Sequence, residues 1–364
     1  MLCKKRSFKS TSDCAYPYAR LCRRKLHAVT PNVCLVNGAE FYKGQHENEE
    51  EVAILARNVH EEKAALVAIG CSKMEPANSK SKSATGCCTM MKNHPTLVAL
   101  RTAKSELFLH SFNQNESGEN QQLATLKGHE KCGFGVAWSE MAPNVLFSGD
   151  YANQLCWWIV TPSGANNGCI KHSARVVYHT RPVNDVAWSR RFGAICGSVG
   201  DDGRLCVWDL RGRKMWQPVA EVKLRNQQLR SLAFSPTSDC LLATGDITGK
   251  ILLWDWRNIS RSIATCGQHV GPVNQLQWSP HKSSILASGG EDGVVGIWDV
   301  KNIEKAIAPG GRDAPETVFL HTLNSTKECT GISWSPLHEW TIASVFENSR
   351  FEIWQPLIPS SCDP

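Results

Sequence analysis

The sequence lacks the features that mark membrane, secreted and metal-binding proteins. None of its 364 residues belongs to an apolar run of about 18, so we expect no membrane span. The first 30 residues hold no apolar stretch, so a secretory signal is not expected. The sixteen cysteines include no Cys-x-x-Cys pair, and only Cys87 and Cys88 are close neighbours. We therefore predict reduced thiols that act as small apolar side chains, with no metal and no cofactor.

Motifs of the common enzyme classes are missing as well. Gly245–Lys250 resembles a phosphate-binding loop only superficially, because the spacing and the following Ser or Thr are wrong. Ser198 follows Cys196 and Gly197, which is not the pattern of a nucleophile elbow. His60 begins His-Glu-Glu-Lys, which is not a zinc-binding helix motif. The sequence thus predicts a protein that is not an enzyme.

The net charge of +6 is concentrated at the amino terminus. Residues 1–30 carry eight Lys and Arg residues against the single acid Asp13, so the rest of the chain is nearly neutral. This argues against a broad, specific nucleic-acid surface on the body. We interpret residues 1–30 as a basic arm with a possible short helix over 17–27. It is a solvated tail, a nuclear-import patch at Arg23–Lys25, or an organellar transit peptide.

One strand–turn–strand unit recurs in the chain. In Ser198–Leu210, Leu205 and Val207 alternate with Cys206 and Trp208, which is the two-residue period of a strand. The Asp-Asp-Gly before them is turn chemistry, because Gly tolerates positive φ. Ser288–Val300 repeats the same unit. Two copies of one hairpin predict a repeat architecture.

The repeat extends to two columns of aromatic residues, both spaced by 50, 46, 44 and 56 residues. The inner column is Trp138, Trp188, Phe234, Trp278 and Trp334, and the outer column is Trp158, Trp208, Trp254, Trp298 and Trp354. With Gly-His early and Trp-Asp late, each unit has the WD-repeat signature. Two weaker strand pairs lie at 52–70 and 84–112. We predict an all-β, seven-bladed WD-repeat propeller over 31–358, with a tail at 359–364.

Propellers of this kind carry a hydrogen-bonded chain of His, Ser or Thr, Asp and Trp across each blade. Such a network is stable only when every buried polar group has a partner. Two blades hold all four residue types: His179, Ser198, Asp202 and Trp208, and then His269, Ser288, Asp292 and Trp298. The network is expected to be broken at Ala152 and Thr248, where Asp is missing, and at Arg225 and Ser325, where His is missing.

The two chain ends are expected to meet in one blade. We predict that Val33–Val36 pairs with the last repeat near Phe351–Trp354, because this would remove an exposed sheet edge. The first blade is expected to be abbreviated, since only about a dozen residues follow Ala65–Gly70 before the next strands.

Several phrases beyond the generic repeat resemble one family. They are Lys127–Gly135, Phe192–Trp208, Leu241–Asn258, Leu276–His281 with Ile285–Ser288, Trp334–Trp354, Asn93–Pro95 with Ala99–Thr102, and His27–Ala28 before Pro31. The chain resembles, over residues 17–356, the histone-binding, retinoblastoma-associated WD proteins, which include the small subunit of chromatin assembly factor. The resemblance implies a scaffold without catalytic activity that binds histones or subunits of histone complexes, as part of a hetero-oligomeric complex.

The resemblance also implies two binding sites. One is a groove beside a loop in the sixth blade, which here keeps Asp313, Pro315 and Glu316. The other is the top face, where the corresponding residues are Phe134, Asp201, Arg230, Asn274 and Glu347. This top face departs from the acidic face of the family. Cys132, Asn184 and Pro272 stand where glutamates are expected, and Arg230 adds a positive charge.

The location and partner follow from the same resemblance. We expect a nuclear protein, with a cytoplasmic location as the alternative, and neither a membrane nor a specific nucleic acid as partner. A receptor for peroxisomal import peptides is one alternative, suggested by Trp138–Glu140. A ribosome-assembly factor is another, suggested by Trp188–Arg191 and His269–Val273.

Overall fold

Short β-strands make up the regular structure in the described part of this computed structural model. The structure describes residues 35–36, 39–46, 49–57, 64–70, 88–91, 94–101, 105–112, 120–142, 144–160, 168–212, 217–301, 316–322, 328–335, 338–346 and 350–356. These ranges contain 28 strands and no helix. The basic arm 1–30, its possible helix at 17–27 and the tail 359–364 lie outside them.

Seven sheets are formed by the described strands, and they follow one another along the chain. Sheet 1 contains β1 (Leu35–Val36), β2 (Ala39–His46), β3 (Glu49–Arg57) and β4 (Ala64–Gly70). Sheet 2 contains β5 (Cys88–Met91), β6 (His94–Arg101), β7 (Leu107–Phe112) and β8 (Asn120–Lys127). Sheet 3 begins with β9 (Val136–Trp138), β10 (Val145–Gly149) and β11 (Gln154–Ile159). The next strand, β12 (Gly168–Lys171), joins sheet 2, and β13 (Ala174–Val177) completes sheet 3.

The remaining sheets repeat the same antiparallel order. Sheet 4 contains β14 (Val183–Trp188), β15 (Ile195–Gly200), β16 (Arg204–Asp209) and β17 (Ala220–Lys223). Sheet 5 contains β18 (Leu229–Phe234), β19 (Leu241–Asp246), β20 (Lys250–Asp255) and β21 (Ala264–Gln268). Sheet 6 contains β22 (Val273–Trp278), β23 (Ile285–Gly290), β24 (Val294–Asp299) and β25 (Glu316–Thr322). Sheet 7 contains β26 (Cys329–Trp334), β27 (Ile342–Phe346) and β28 (Arg350–Trp354).

The second strand of each regular sheet is buried because other sheets cover both of its faces. All six residues of β15 and of β23 are buried, which explains their uninterrupted small and apolar sequences. The turns that follow require positive φ. Gly203, Gly249 and Gly293 have φ of 73°, 90° and 74°, and Asn153 takes the same position in sheet 3 with φ 68°.

The first strands of the sheets lie side by side. β9 lies next to β14, β14 next to β18, β18 next to β22, and β22 next to β26. At the other end of the series, β1 lies next to both β26 and β5, and β5 lies next to β9. The apolar core fills the gaps between neighbouring sheets. For example, Trp157 of sheet 3 packs with Trp188 and Trp208 of sheet 4.

Tryptophans of the inner column tie neighbouring sheets together by hydrogen bonds. The indole N–H of Trp188 donates to the carbonyl oxygen of Ala137 at 2.9 Å. Trp278 donates in the same way to Ala233 at 3.1 Å, and Trp334 to Gln277 at 3.1 Å. Phe234 fills the equivalent position in sheet 5 but has no N–H to donate.

Two expectations about the chain ends are wrong. Leu35 and Val36, the described half of the predicted strand Val33–Val36, pair with β2 in sheet 1 and not with the last repeat, because this two-residue strand folds directly back on its successor. Val33 and Cys34 lie outside the described residues. Sheet 1 is not abbreviated either: it has four strands, all of which precede residue 71. The sequence had also given no sign of β12, which runs parallel to β8 and adds a fifth strand to sheet 2.

Candidate protein-binding face

Loops of two kinds meet at one end of the sheets, which we call the upper face. They are the loops that lead into the first strand of each sheet and the turns between the second and third strands. The pairing of Val183 with Gly200 places both at the same end of sheet 4. There the N–H of Asp201 donates to the carbonyl oxygen of Pro182 at 2.9 Å. Of the top-face residues expected from the sequence, Phe134 and Asp201 belong to these loops, whereas Arg230 and Asn274 are the second residues of the first strands β18 and β22.

A buried hydrogen-bonded chain supports the upper face in sheet 4. His179 Nδ1 lies 3.0 Å from Asp202 Oδ1, and His179 Nε2 lies 2.8 Å from Ser198 Oγ. The same hydroxyl accepts the indole N–H of Trp208 at 3.0 Å. Asp202 also accepts the backbone N–H of Thr180, so its carboxylate fixes the loop that enters the first strand.

Sheet 6 contains the equivalent chain of side-chain hydrogen bonds. His269 Nδ1 lies 3.0 Å from Asp292 Oδ1, and His269 Nε2 lies 2.7 Å from Ser288 Oγ. The indole N–H of Trp298 donates to Ser288 Oγ at 2.8 Å. His179 and His269 thus use both ring nitrogens in hydrogen bonds within their sheets.

The expectation that sheet 3 lacks this chain is wrong, because Asp150 replaces the missing aspartate. It stands two positions before Ala152, and its Oδ2 lies 3.2 Å from His129 Nδ1. His129 Nε2 lies 2.7 Å from Ser148 Oγ, which accepts the indole N–H of Trp158 at 2.8 Å. Sheet 3 therefore has all four residue types, but its aspartate stands two positions earlier in the turn than Asp202 does in sheet 4.

The protonation states of His129 and Asp150 follow from their surroundings. Burial lowers the pKa of His129 to about 4, even though Asp150 acts in the opposite direction. Burial alone would raise the pKa of Asp150, but hydrogen bonds from His129 and the backbone N–H of Gln154 outweigh it and hold that pKa below 3.8. A neutral imidazole that donates from Nδ1 to an ionised carboxylate satisfies both shifts, so we assign that tautomer.

Sheets 5 and 7 keep only part of the arrangement. Trp254 donates to Thr244 Oγ1 at 2.9 Å, and Trp354 donates to Ser344 Oγ at 3.0 Å. Asp246 occupies the position of Asp150 and accepts the N–H of Lys250 through Oδ1. Among the described residues its other oxygen, Oδ2, is buried without a hydrogen-bond partner. At the place of the missing histidine, Arg225 is exposed, whereas Ser325 lies outside the described residues.

The predicted top-face residues have different surroundings. Phe134 is 39% exposed, and its ring meets that of Tyr151 edge to face, with the centroids 5.7 Å apart. Asp201 is half-buried and accepts the side-chain amide of Asn184 at 2.7 Å. Arg230 is half-buried on the first strand of sheet 5, and within the described structure its Nε has no hydrogen-bond partner.

Asn274, which is half-buried, and Asn184, which is buried, donate hydrogen bonds to neighbouring sheets. The amide of Asn274 donates to the carbonyl oxygen of Cys329 in sheet 7 at 3.3 Å. The amide of Asn184, which is 6% exposed, donates to the carbonyl oxygen of Leu229 in sheet 5 at 2.7 Å. Both residues stand where the family resemblance placed partner-binding side chains, so this part of the upper face is committed to internal contacts.

The groove residues are described only in part. Asp313 and Pro315 lie outside the described residues, as does Glu347 of the top face. Glu316 is the first residue of β25, and its backbone pairs with Asp299 of β24. β25 is the outermost strand of sheet 6.

Sequence reasoning missed two residues near the upper face. Asp185 accepts the N–H of Leu232 in sheet 5 and that of Val186, each at 2.8 Å, and burial raises its pKa to about 7. Tyr151 lies under Phe134, and burial raises its pKa to about 12. Asp185 could have been noticed as the one acid on a first strand. Tyr151 carries no comparable signal, because turn residues vary freely in type.

Comparison with known families locates the repeats. A family model described as "WD domain, G-beta repeat" matches residues 168–209, 216–255 and 260–299. These three segments are WD repeats. The second match takes in β17 of sheet 4 and β18–β20 of sheet 5, so it supplies the outermost strand of one sheet and three strands of the next. The third match follows the same pattern, and the first also includes β12 of sheet 2. WD repeats serve in general as non-catalytic scaffolds for protein–protein interaction.

The described residues hold no group of three or more His, Cys, Asp or Glu side chains arranged to bind a metal ion. None of their elements is a helix of the length and apolarity needed to cross a membrane. The described cysteines, from Cys132 to Cys329, are free thiols, and burial raises the pKa of Cys156, Cys266 and Cys329 to about 12.

Proposed function

We propose that this chain is a non-catalytic, seven-bladed WD-repeat scaffold that binds histones or subunits of histone complexes. The propeller would span residues 31–358, between the basic arm 1–30 and the tail 359–364. The observation that carries the proposal is the combination of three matched WD repeats with family-like phrases that extend far beyond them. The side-by-side order of the first strands, in which β1 lies next to both β26 and β5, supports closure of the ring.

The histidines offer little support for a catalytic alternative. His129, His179 and His269 are each hydrogen-bonded on both ring nitrogens inside a sheet. A general base must reach a substrate proton, and these side chains are buried behind the loops of the upper face.

The side groove is the place where we expect a histone to bind. The loop with Asp313, Pro315 and Glu316 leads into the outermost strand of sheet 6, and its two acids suit a basic histone helix. The upper face is less suited to basic tails, because Asn184 and Asn274 are committed to neighbouring sheets and Arg230 is positive. We propose that histone binding uses the side groove.

Retention of purified core histones on the immobilised full-length chain tests the proposal. We expect retention at physiological ionic strength, and a strong loss in the double variant Asp313→Lys and Glu316→Lys. The matched control is Glu339→Lys, which reverses an exposed acid that pairs with Lys282 at 3.8 Å. Absence of histone retention by the unaltered chain would refute the proposal.

Cellular location separates the alternatives. A nuclear pool in cells that express a tagged chain agrees with the proposal. A chain confined to peroxisomes or to the cytosol would favour a peptide receptor, and a chain that follows pre-ribosomal particles would favour an assembly factor.

A further inference from the structure

Arginines without a carboxylate partner gather on the upper face of sheets 4 and 5. Within residues 168–212 and 217–301, six arginines form ion pairs and four do not. The paired ones are Arg175, Arg190, Arg191, Arg204, Arg211 and Arg257. In these same ranges the arginines that form no ion pair are Arg181, Arg225, Arg230 and Arg261. The first three belong to the upper face, whereas Arg261 follows β20 at the opposite end.

Contacts between the loops bring the three upper arginines to one turn. Arg181 precedes Pro182, whose carbonyl oxygen accepts the N–H of Asp201 at 2.9 Å. On the other side of this turn, the carbonyl oxygen of Gly203 accepts the N–H of Leu224, which precedes Arg225, at 2.9 Å. The turn at residues 201–203 is therefore flanked by a cationic loop on each side.

Arg230 reaches the same place from the first strand of sheet 5. It follows Leu229, whose carbonyl oxygen is held by the amide of Asn184, and the same amide is hydrogen-bonded to Asp201. Asp201 thus already has a hydrogen-bond donor, and the described structure shows no ion pair between it and Arg230. The buried Nε of Arg230 is left with a proton to donate.

An aromatic surface adjoins the three arginines. Phe134 is exposed against the edge of Tyr151, and the N–H of Tyr151 donates to the carbonyl oxygen of Cys132. The turn that carries Tyr151 meets the loop of Arg181, because the N–H of Val183 donates to the carbonyl oxygen of Asp150 at 3.0 Å. An exposed aromatic beside unpaired cations is a common composition for the centre of a protein-binding surface.

We propose that the upper face of sheets 3 to 5 binds an acidic peptide segment of a partner protein. Carboxylates of the peptide pair with Arg181, Arg225 and Arg230, and an apolar side chain of the peptide packs on Phe134 and Tyr151. Arginine suits this role because its planar guanidinium forms two parallel hydrogen bonds with a carboxylate. This inference goes beyond histone binding, since the same three charges repel a basic tail.

A peptide fits this surface better than a nucleic acid does. Binding to a phosphate backbone uses many cations spread along the path of a strand, commonly about six to ten contacts. Among the described residues, three arginines surround Asp201, while Glu130 in the loop that enters sheet 3, paired with Arg175, and Glu291 in sheet 6 are further exposed acids. This mixed, compact charge pattern matches a short acidic segment, which carries both carboxylates and apolar groups.

Fluorescence anisotropy with the full-length chain tests the proposal. The probe is a labelled peptide of Glu and Asp residues around one central Leu. Comparison ligands are a Gln/Asn peptide of the same length, a Lys-rich peptide and a single-stranded oligonucleotide. We expect the acidic peptide to bind most tightly and more weakly as salt rises. Tighter binding of the oligonucleotide or of the Lys-rich peptide would overturn the proposal.

Single substitutions locate the site. Arg181→Gln and Arg225→Gln should each weaken peptide binding by about 5- to 10-fold, and Arg230→Gln by at least as much. The matched control is Arg261→Gln, an unpaired arginine at the opposite end, which should leave affinity unchanged. Equal losses in Arg261→Gln would mean that the peptide responds to net charge alone, and the proposed site would be wrong. Unchanged melting temperatures establish that the variants fold.

The apolar contact has its own test. Phe134→Ser should weaken binding of the Leu-containing peptide by about 10-fold, and replacement of the central Leu by Ser should then cause little further loss. Independent, fully additive losses would contradict contact between the two side chains. Histone retention is measured on the same variants. Retained histones without peptide binding refute only this inference, whereas peptide binding without histone retention refutes only the proposed function.

Discussion

Removal of the Asp150 carboxylate should cost much more stability than removal of the equivalent carboxylate of Asp246. The two residues stand at the same position of their turns, two residues after Ser148 and Thr244. Both are fully buried. They differ in one respect: Asp150 has the His129 imidazole as a partner, whereas Asp246 leaves one oxygen unpaired among the described residues.

The expected magnitudes follow from the groups left behind. Asp150→Ala strips an acceptor from the buried His129 Nδ1–H, from the buried N–H of Gln154 and from the N–H of Ala152. An unsatisfied buried donor costs about 1–3 kcal/mol, so we expect a total loss of about 3–5 kcal/mol. Asp246→Ala affects only groups that water can partly reach and removes a buried oxygen that has no partner. We expect a loss of about 1–2 kcal/mol there.

Urea unfolding followed by tryptophan fluorescence measures both variants. Asn substitutions sharpen the comparison. Asp246→Asn should stay within about 1 kcal/mol of the unaltered chain, because an amide can replace an oxygen that accepts nothing. Asp150→Asn should cost about 1–3 kcal/mol, since its amide faces either His129 Nδ1–H or a backbone N–H. Equal losses for the two aspartates would refute the reasoning that the His–Asp contact carries the difference.

Three further predictions concern pH, the inner aromatic column and the turns. Because burial lowers the pKa of His129 from 6.5 to about 4, the unfolded chain binds its proton first as pH falls. Stability should therefore drop by about 3 kcal/mol between pH 6.5 and pH 4, and His129→Gln should flatten this slope in urea titrations at several pH values. Trp188→Phe should cost about 1 kcal/mol by loss of the indole hydrogen bond, whereas Trp188→Ala should cost about 3–5 kcal/mol in the same assay. Gly203→Ala should lower the melting temperature, because φ is 73° and the new Cβ would lie 2.4 Å from the carbonyl oxygen of Gln227. Gly271→Ala, whose nearest neighbour would lie at 3.4 Å, should leave it unchanged.

The parts of the fold predicted from the sequence are those fixed by local periodicity. Ser198–Leu210 is a strand, a turn and a strand in the structure, because alternation and a positive-φ glycine determine a hairpin without help from distant residues. The parallel strand β12 could not be foreseen. Its four residues, Gly168–Lys171, have no distinctive pattern, and the partner β8 lies 44 residues earlier, as the pairing of Gly168 with Ala124 shows.

The hydrogen-bonded networks show that local sequence patterns also fail to predict some single-residue contacts. Asp202 and Asp292 were identified from the sequence, because each follows the serine of its network by the same number of residues. Asp150 escaped this rule because it stands at an earlier position of the turn, where sheets 4 and 6 have Gly200 and Gly290. A Cβ at Gly200 would lie 3.1 Å from His179 Nδ1, so a carboxylate at this position can meet the same ring nitrogen. Two positions of the turn can supply the carboxylate, and a single spacing identifies only one of them.

The sequence does not determine which side chains of the upper face are free to bind a partner. The family resemblance placed Asn274 among partner contacts and Asn184 where a glutamate is expected, yet both donate to backbone carbonyls of the next sheet. Which polar side chains remain available depends on hydrogen bonds between sheets that only the folded chain defines. The arginines on that face became informative only when the ion pairs of the others were known.

Retention of purified core histones by the unaltered full-length chain tests the central claim most directly. The account predicts retention at physiological ionic strength that is lost in the variant with Asp313→Lys and Glu316→Lys and kept in Glu339→Lys. A chain that folds, as shown by a cooperative melt, but retains no histone would contradict it.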